Sequence, residues 1–134
     1  MTLAIIDFHS NLLFLILPAN FRSYMIFTAI AFFALAAIIG SLLLVLILRN
    51  RPTSKVMVIT HGLLAAAGLF ILVLYAFKNR PGSTEAITLF VIAATGGIIV
   101  FLRDINNKPV PKWLAVTHGL VALSGFIYLL WIAF

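Results

Sequence analysis

Four long apolar runs dominate the chain, at Tyr24–Leu48, Val56–Phe77, Ala86–Leu102 and Trp113–Phe134, and none contains a charged residue. Polar residues gather between them, at 49–55, 78–85 and 103–112. A helix needs about 20 residues to cross a hydrocarbon core roughly 30 Å thick, so the pattern predicts four membrane-spanning helices. Ala86–Leu102 is the shortest run, and Arg103 at its end is placed to snorkel its charge to the interface. The runs are continuously apolar and do not alternate, unlike the segments of about ten residues that build a membrane barrel. Helices satisfy their own backbone groups in lipid and are the expected elements.

The connections are short and rich in turn formers. Arg49-Asn50-Arg51-Pro52-Thr53-Ser54 and Asn106-Asn107-Lys108-Pro109-Val110-Pro111 have matching chemistry, with proline ending or starting a helix. In the middle connection Thr84 is the expected cap of the third helix, and Glu85 suits its first turn. Short loops force consecutive helices to be antiparallel neighbours, which predicts an all-α, up-down-up-down four-helix bundle.

The second half repeats the first. Thr60-His61-Gly62-Leu63 returns 57 positions later as Thr117-His118-Gly119-Leu120, and the same offset pairs Phe33 with Phe90, Gly40 with Gly97, Lys55 with Lys112 and Gly68 with Gly125. From Thr28/Glu85 to the end of the chain this register gives 18 identities in 50 pairs without a gap, which reads as two tandem helical-hairpin repeats. Residues 24–78 form the first and 85–134 the second, within one domain. Each repeat holds two spans, so the halves share one orientation and are related by a pseudo-two-fold axis along the membrane normal. Residues 1–23 stand outside the repeat. Leu12–Leu17 is too short to span and stops at Pro18, and the segment lacks the basic start and small-residue cleavage site of a signal peptide. It reads as an interfacial or re-entrant helix on the outer side, with a partly ordered amphipathic tail as the alternative.

The shared residues fall in stripes. His61, Ala65, Gly68, Leu72 and Ala76 keep to one face of the second span, as do His118, Ala122, Gly125, Leu129 and Ala133 in the fourth. Ala29, Phe33, Ala36, Ala37 and Gly40 mark the first span, and Ala86, Phe90, Ala93, Ala94 and Gly97 the third. These stripes are the expected bundle interior, where small residues allow close helix approach. Packing alone accounts for the glycines and alanines. Tyr24, Tyr75, Tyr128 and Trp131 near one end, and Trp113 near the other, read as interfacial anchors.

Composition narrows the class. Of 134 residues, 64% are hydrophobic and 9% charged, too apolar a surface for a soluble domain. The net charge of +6 lies in the connections and does not point to nucleic acid. Arg49, Arg51, Lys55, Arg103, Lys108 and Lys112 outnumber Arg22, Lys78 and Arg80, which places 49–55 and 103–112 in the cytoplasm and both termini outside. A bacterial cytoplasmic membrane is the expected location. Without cysteine there is no thiolate metal site and no c-type haem attachment. No nucleophile–base set, phosphate loop or carboxylate pair is visible, so hydrolase and transferase chemistry is not expected.

What remains is the histidine pair. Imidazole in hydrocarbon needs a partner, and two readings compete. In the first, each ring simply bonds a backbone carbonyl or a threonine hydroxyl. In the second, His61 and His118 face each other from diagonal helices, too far apart for a direct hydrogen bond but suitably placed to bind a metal between them. A haem iron takes two such nitrogens at about 2.0 Å. The small residues around Gly40 and Gly97 would then make room for the macrocycle, and Gly62 and Gly119 would ease close approach. Thr60, Thr117, Lys55 and Lys112, toward the cytoplasmic edge, would meet its propionates. His9 reads as a solvated interfacial residue.

Four spans with His61 and His118 inward on facing helices resemble the four-helix transmembrane b-type cytochromes, the broad class that includes the cytochrome b561-like proteins. The resemblance covers about residues 24–134 and concerns architecture, not a sequence motif. Many of those proteins hold two haems on four histidines. Here it implies a single haem b, a redox-linked role, and a quinone or redox protein as partner beside the lipid bilayer, with a further copy of the chain also allowed. Two other functions stay open: a small transporter or proton-conducting module using the same histidines, and a non-catalytic membrane scaffold or assembly subunit.

Overall fold

A computed structural model describes residues 19–77 and 82–134. The residues are all-helical apart from their connections, in four helices: α1 (Ala19–Leu48), α2 (Lys55–Ala76), α3 (Ser83–Ile105) and α4 (Lys112–Ala133). At 1.5 Å per residue even the shortest is about 33 Å long. All four are long and apolar enough to cross a membrane, and large apolar side chains such as Leu35, Ile38, Leu63, Phe70, Ile98 and Ile127 lie on the outside. The chain is an integral membrane protein. The N-terminal interfacial or re-entrant helix expected before Pro18, together with His9, lies outside the described residues.

The ends of α1 and α3 are built alike. Arg51 N–H bonds Leu46 O at 2.9 Å and Asn50 N–H bonds Ile47 O at 3.1 Å; Lys108 N–H bonds Arg103 O at 2.8 Å and Asn107 N–H bonds Asp104 O at 3.0 Å. This is the Schellman arrangement, which requires a left-handed residue just past the helix. Asn50 (φ 52°) and Asn107 (φ 55°) take that role, since asparagine tolerates the conformation better than most residues. Pro52 and Pro109 follow and prevent continuation.

The start of α3 differs from the sequence expectation. Gly82, not Thr84, is the capping residue. Its φ of +80° favours glycine, and an Ile132 methyl 2.7 Å from where a Cβ would stand would have to shift for any other residue. Thr84 lies within the first turn, where its carbonyl accepts the Thr88 hydroxyl at 2.8 Å. Glu85 is in that turn, as expected.

Packing is densest within each hairpin, α1 on α2 and α3 on α4, and thinner between hairpins, α1 on α4 and α2 on α3; the pairs α1/α3 and α2/α4 are diagonal. Thr53 and Lys55 meet Asp104 at one end of the bundle, while Phe27 meets Phe134 at the other, with ring centroids 5.7 Å apart. The first and third connections therefore share an end, and the helices run up, down, up, down. The core is concentrated in the other half, in Ile26, Ala29, Phe33, Leu72, Ala86, Phe90 and Leu129. The expected interior stripes are largely the interior, except that Ala37 and Ala94 are exposed. One residue adds about 100° of helix rotation, and Ala36 and Ala93 already occupy the inward positions. Tyr75 and Tyr128 also depart from a purely lipid-facing role, because they pack against the core.

Candidate cofactor site

His61 and His118 each lie six residues into their helix, about 9 Å from the end that carries 49–55 and 103–112. Each ring crosses to the other helix of its own hairpin. His61 Nδ1 bonds Ala36 O at 2.9 Å and His118 Nδ1 bonds Ala93 O at 2.8 Å. A carbonyl only accepts, so both Nδ1 atoms carry a proton, and in the neutral ring Nε2 presents a lone pair.

Glycine is required beside those carbonyls. A Cβ on Gly40 would stand 2.8 Å from His61 Cε1, and one on Gly97 2.8 Å from His118 Cε1. The ring lies against bare backbone, and any larger residue would push it away. Sequence reasoning placed Gly40 and Gly97 near the site but not the Ala36 and Ala93 carbonyls, because a backbone acceptor leaves no mark on residue identity.

The two hairpins bring the rings together. Their centroids are 6.2 Å apart and their planes cross at 88°. An imidazole nitrogen lies about 1.2 Å from its ring centre, so a metal bound at about 2.0 Å to both, with the two rings in line through it, would separate the centroids by about 6.4 Å. The donor set fits as well. A ligating histidine ordinarily donates its other N–H to a carbonyl or carboxylate, which fixes the tautomer and raises the basicity of the ligand. Among the described residues no three His, Cys, Asp or Glu side chains converge. Two histidine nitrogens are a donor set that a haem would accept. The carbonyl bond by itself satisfies Nδ1, as the simpler reading of a buried histidine requires; Nε2 takes no hydrogen bond among the described residues, and neither Nε2 is a fully buried unpartnered atom.

Toward the other half of the bundle, Phe33 and Phe90 stack across the centre, with centroids 3.8 Å apart and planes within 2°. Glycines back both rings. A Cβ on Gly68 would stand 3.3 Å from Phe33 Cδ1, and one on Gly125 3.4 Å from Phe90 Cε1.

The remaining candidates lie away from the rings. A Cβ on Gly62 would meet nothing within 4 Å, and one on Gly119 only Leu44 Cδ2 at 3.9 Å. The close approaches are thus made at Gly40, Gly97, Gly68 and Gly125 and not beside the histidines in sequence. Thr60 and Thr117 are exposed, and the Thr117 hydroxyl bonds Trp113 O at 2.9 Å. Lys55 forms an ion pair with Asp104 at 3.4 Å and also reaches the Asp104 carbonyl. Lys112 is exposed. Gly96 and Gly97 lie within an unbroken α3.

Comparison with known proteins returns no matching family model, no match among curated proteins and no match among solved structures.

Proposed function

We propose that this chain is a membrane electron-transfer protein that holds one haem b between His61 and His118. The observation that carries the reading is the pair of Nδ1–carbonyl bonds, which leaves two free Nε2 lone pairs on rings 6.2 Å apart. Bound there, the haem would supply a one-electron couple at iron. The chain's residues do the rest. The carbonyls of Ala36 and Ala93 hold the tautomers and orient the rings. Gly40 and Gly97 leave the rings room against the helix. The apolar core borders the site on one side and would so help to tune the potential. Two histidine ligands leave no open position on iron, which favours electron transfer over oxygen chemistry.

In this reading the bundle is two tandem hairpin repeats in a bacterial cytoplasmic membrane. The ends at 49–55 and 103–112 face the cytoplasm and the termini face outward. The redox partner is a quinone or a redox protein, in keeping with the b561-like resemblance. The test is an absorption spectrum of detergent-purified protein from haem-replete cells, before and after dithionite. The expected result is a Soret band that shifts on reduction, sharp alpha and beta bands, and about one haem per chain. A colourless, folded protein would refute the reading. pH-dependent ion flux in liposomes would then favour the transporter, and its absence the scaffold.

A further inference from the structure

We infer that Phe33 and Phe90 together form a wall that closes the histidine site to water from the half of the bundle bearing the described helix ends Ala76, Ser83 and Ala133, and thereby raises its reduction potential. This rests on the haem reading. Both rings are buried, at 5% and 6% exposure. They come from diagonal helices, so the stack crosses the middle of the bundle. Each phenylalanine precedes by three residues the alanine whose carbonyl holds a histidine, which puts the wall about one helical turn from the rings.

The stacking geometry itself is informative. Aromatic pairs prefer an offset or edge-to-face arrangement over a parallel sandwich. Phe33 and Phe90 are nonetheless near parallel at 3.8 Å, held from behind by Gly68 and Gly125. Their surroundings, not their mutual attraction, set the arrangement. Beyond them Leu72, Leu129, Ala29 and Ala86 are fully buried and continue the layer. The opposite direction is shorter. Only about 9 Å of helix separates the histidines from the polar residues Thr53, Lys55 and Asp104, against about 22 Å to the far end of α2. A bound bis-imidazole iron gains positive charge on oxidation, and water reaching it would stabilise the oxidised form. A dry wall therefore favours the reduced form.

The test is a redox titration of haem-loaded protein carrying Phe90→Leu, Phe90→Val and Phe90→Ala, repeated at Phe33, with the haem-to-protein ratio and thermal stability recorded for each. The expected result is a midpoint potential that falls stepwise as the side chain shrinks, with low-spin haem retained. Leucine should remain near wild type and alanine lowest. A flat series in folded, loaded protein would overturn the inference even if stability fell, because the phenylalanines would then be packing only. If the alanine variants fail to load, the leucine and valine variants still decide it. A wild-type protein without haem would instead sink the reading on which this rests.

Discussion

The two hairpins are alike around the histidines and in the turns that end α1 and α3, and they differ at single positions elsewhere. Phe33, Ala36, Gly40, His61 and Gly68 have Phe90, Ala93, Gly97, His118 and Gly125 as counterparts, and the contacts among them recur almost atom for atom. Away from that level the register still holds at Asn50/Asn107, Pro52/Pro109 and Lys55/Lys112, but it diverges at particular positions. Ser83, buried with its hydroxyl unpartnered, stands opposite Ile26. Asp104 stands opposite Ile47, and Gly96 opposite Ile39. The bridge of Thr53 and Lys55 to Asp104 consequently forms once. Its mirror image would need Ile47 and Val110 to act as polar groups. The difference teaches that the histidine level and the turns impose one demand on both halves, whereas single positions elsewhere are free to specialise.

The strongest way to break this equivalence is to remove one ring. His61→Ala and His118→Ala should each abolish stable low-spin haem, to the same extent, in absorption spectra of purified protein. A variant that kept the wild-type spectrum and stoichiometry would show that its histidine is no ligand. Next come the glycines. Gly40→Ala and Gly97→Ala place a methyl 2.8 Å from an imidazole carbon, and overpacking of this kind costs about 1–3 kcal/mol. Haem retention should fall several-fold in both, and the thermal midpoint in detergent should drop. Gly62→Ala meets open space and should leave the spectrum unchanged, with a gain of up to about 1 kcal/mol from helix propensity.

Smaller effects sharpen the comparison at the ends. Asp104→Ile makes the second hairpin resemble the first and removes the bridge. The Lys55 side chain is 43% exposed, and exposed pairs contribute roughly 0.2–1 kcal/mol, so thermal unfolding should shift slightly while the haem spectrum stays the same. Thr60→Val and Thr117→Val should change least. Both threonines face outward, and a marked loss of haem in either would restore them as donors to the cofactor.

Much of this was legible in the sequence because lipid and helix geometry leave few options. Uninterrupted apolar runs predicted four helices, and the offset of 57 brought His61 and His118 to equivalent places. The spacing of the shared positions also marked most of the inward faces. What the sequence did not reveal depends on atoms that residue identity does not encode. The carbonyls of Ala36 and Ala93 are one case. Gly62 and Gly119 are another, since adjacency in sequence to a histidine turns a residue about 100° away from it on the helix. Thr84 carried the chemistry of a cap, but the tight approach of Ile132 demanded glycine at Gly82 instead. The rings of Phe33 and Phe90 were visible as shared residues, but only the fold shows that they meet.

The most direct test of the central claim is the electron paramagnetic resonance spectrum of the oxidised protein. Nδ1–carbonyl bonds on both sides hold the imidazole planes at 88°. Were both rings to hold a haem at that angle, the two iron orbitals that interact with them would be nearly equal in energy, and a strongly anisotropic low-spin signal would follow. That signal, lost in His61→Ala and in His118→Ala, is the predicted result. A high-spin signal in the wild-type protein, or no haem iron at all, would contradict the account.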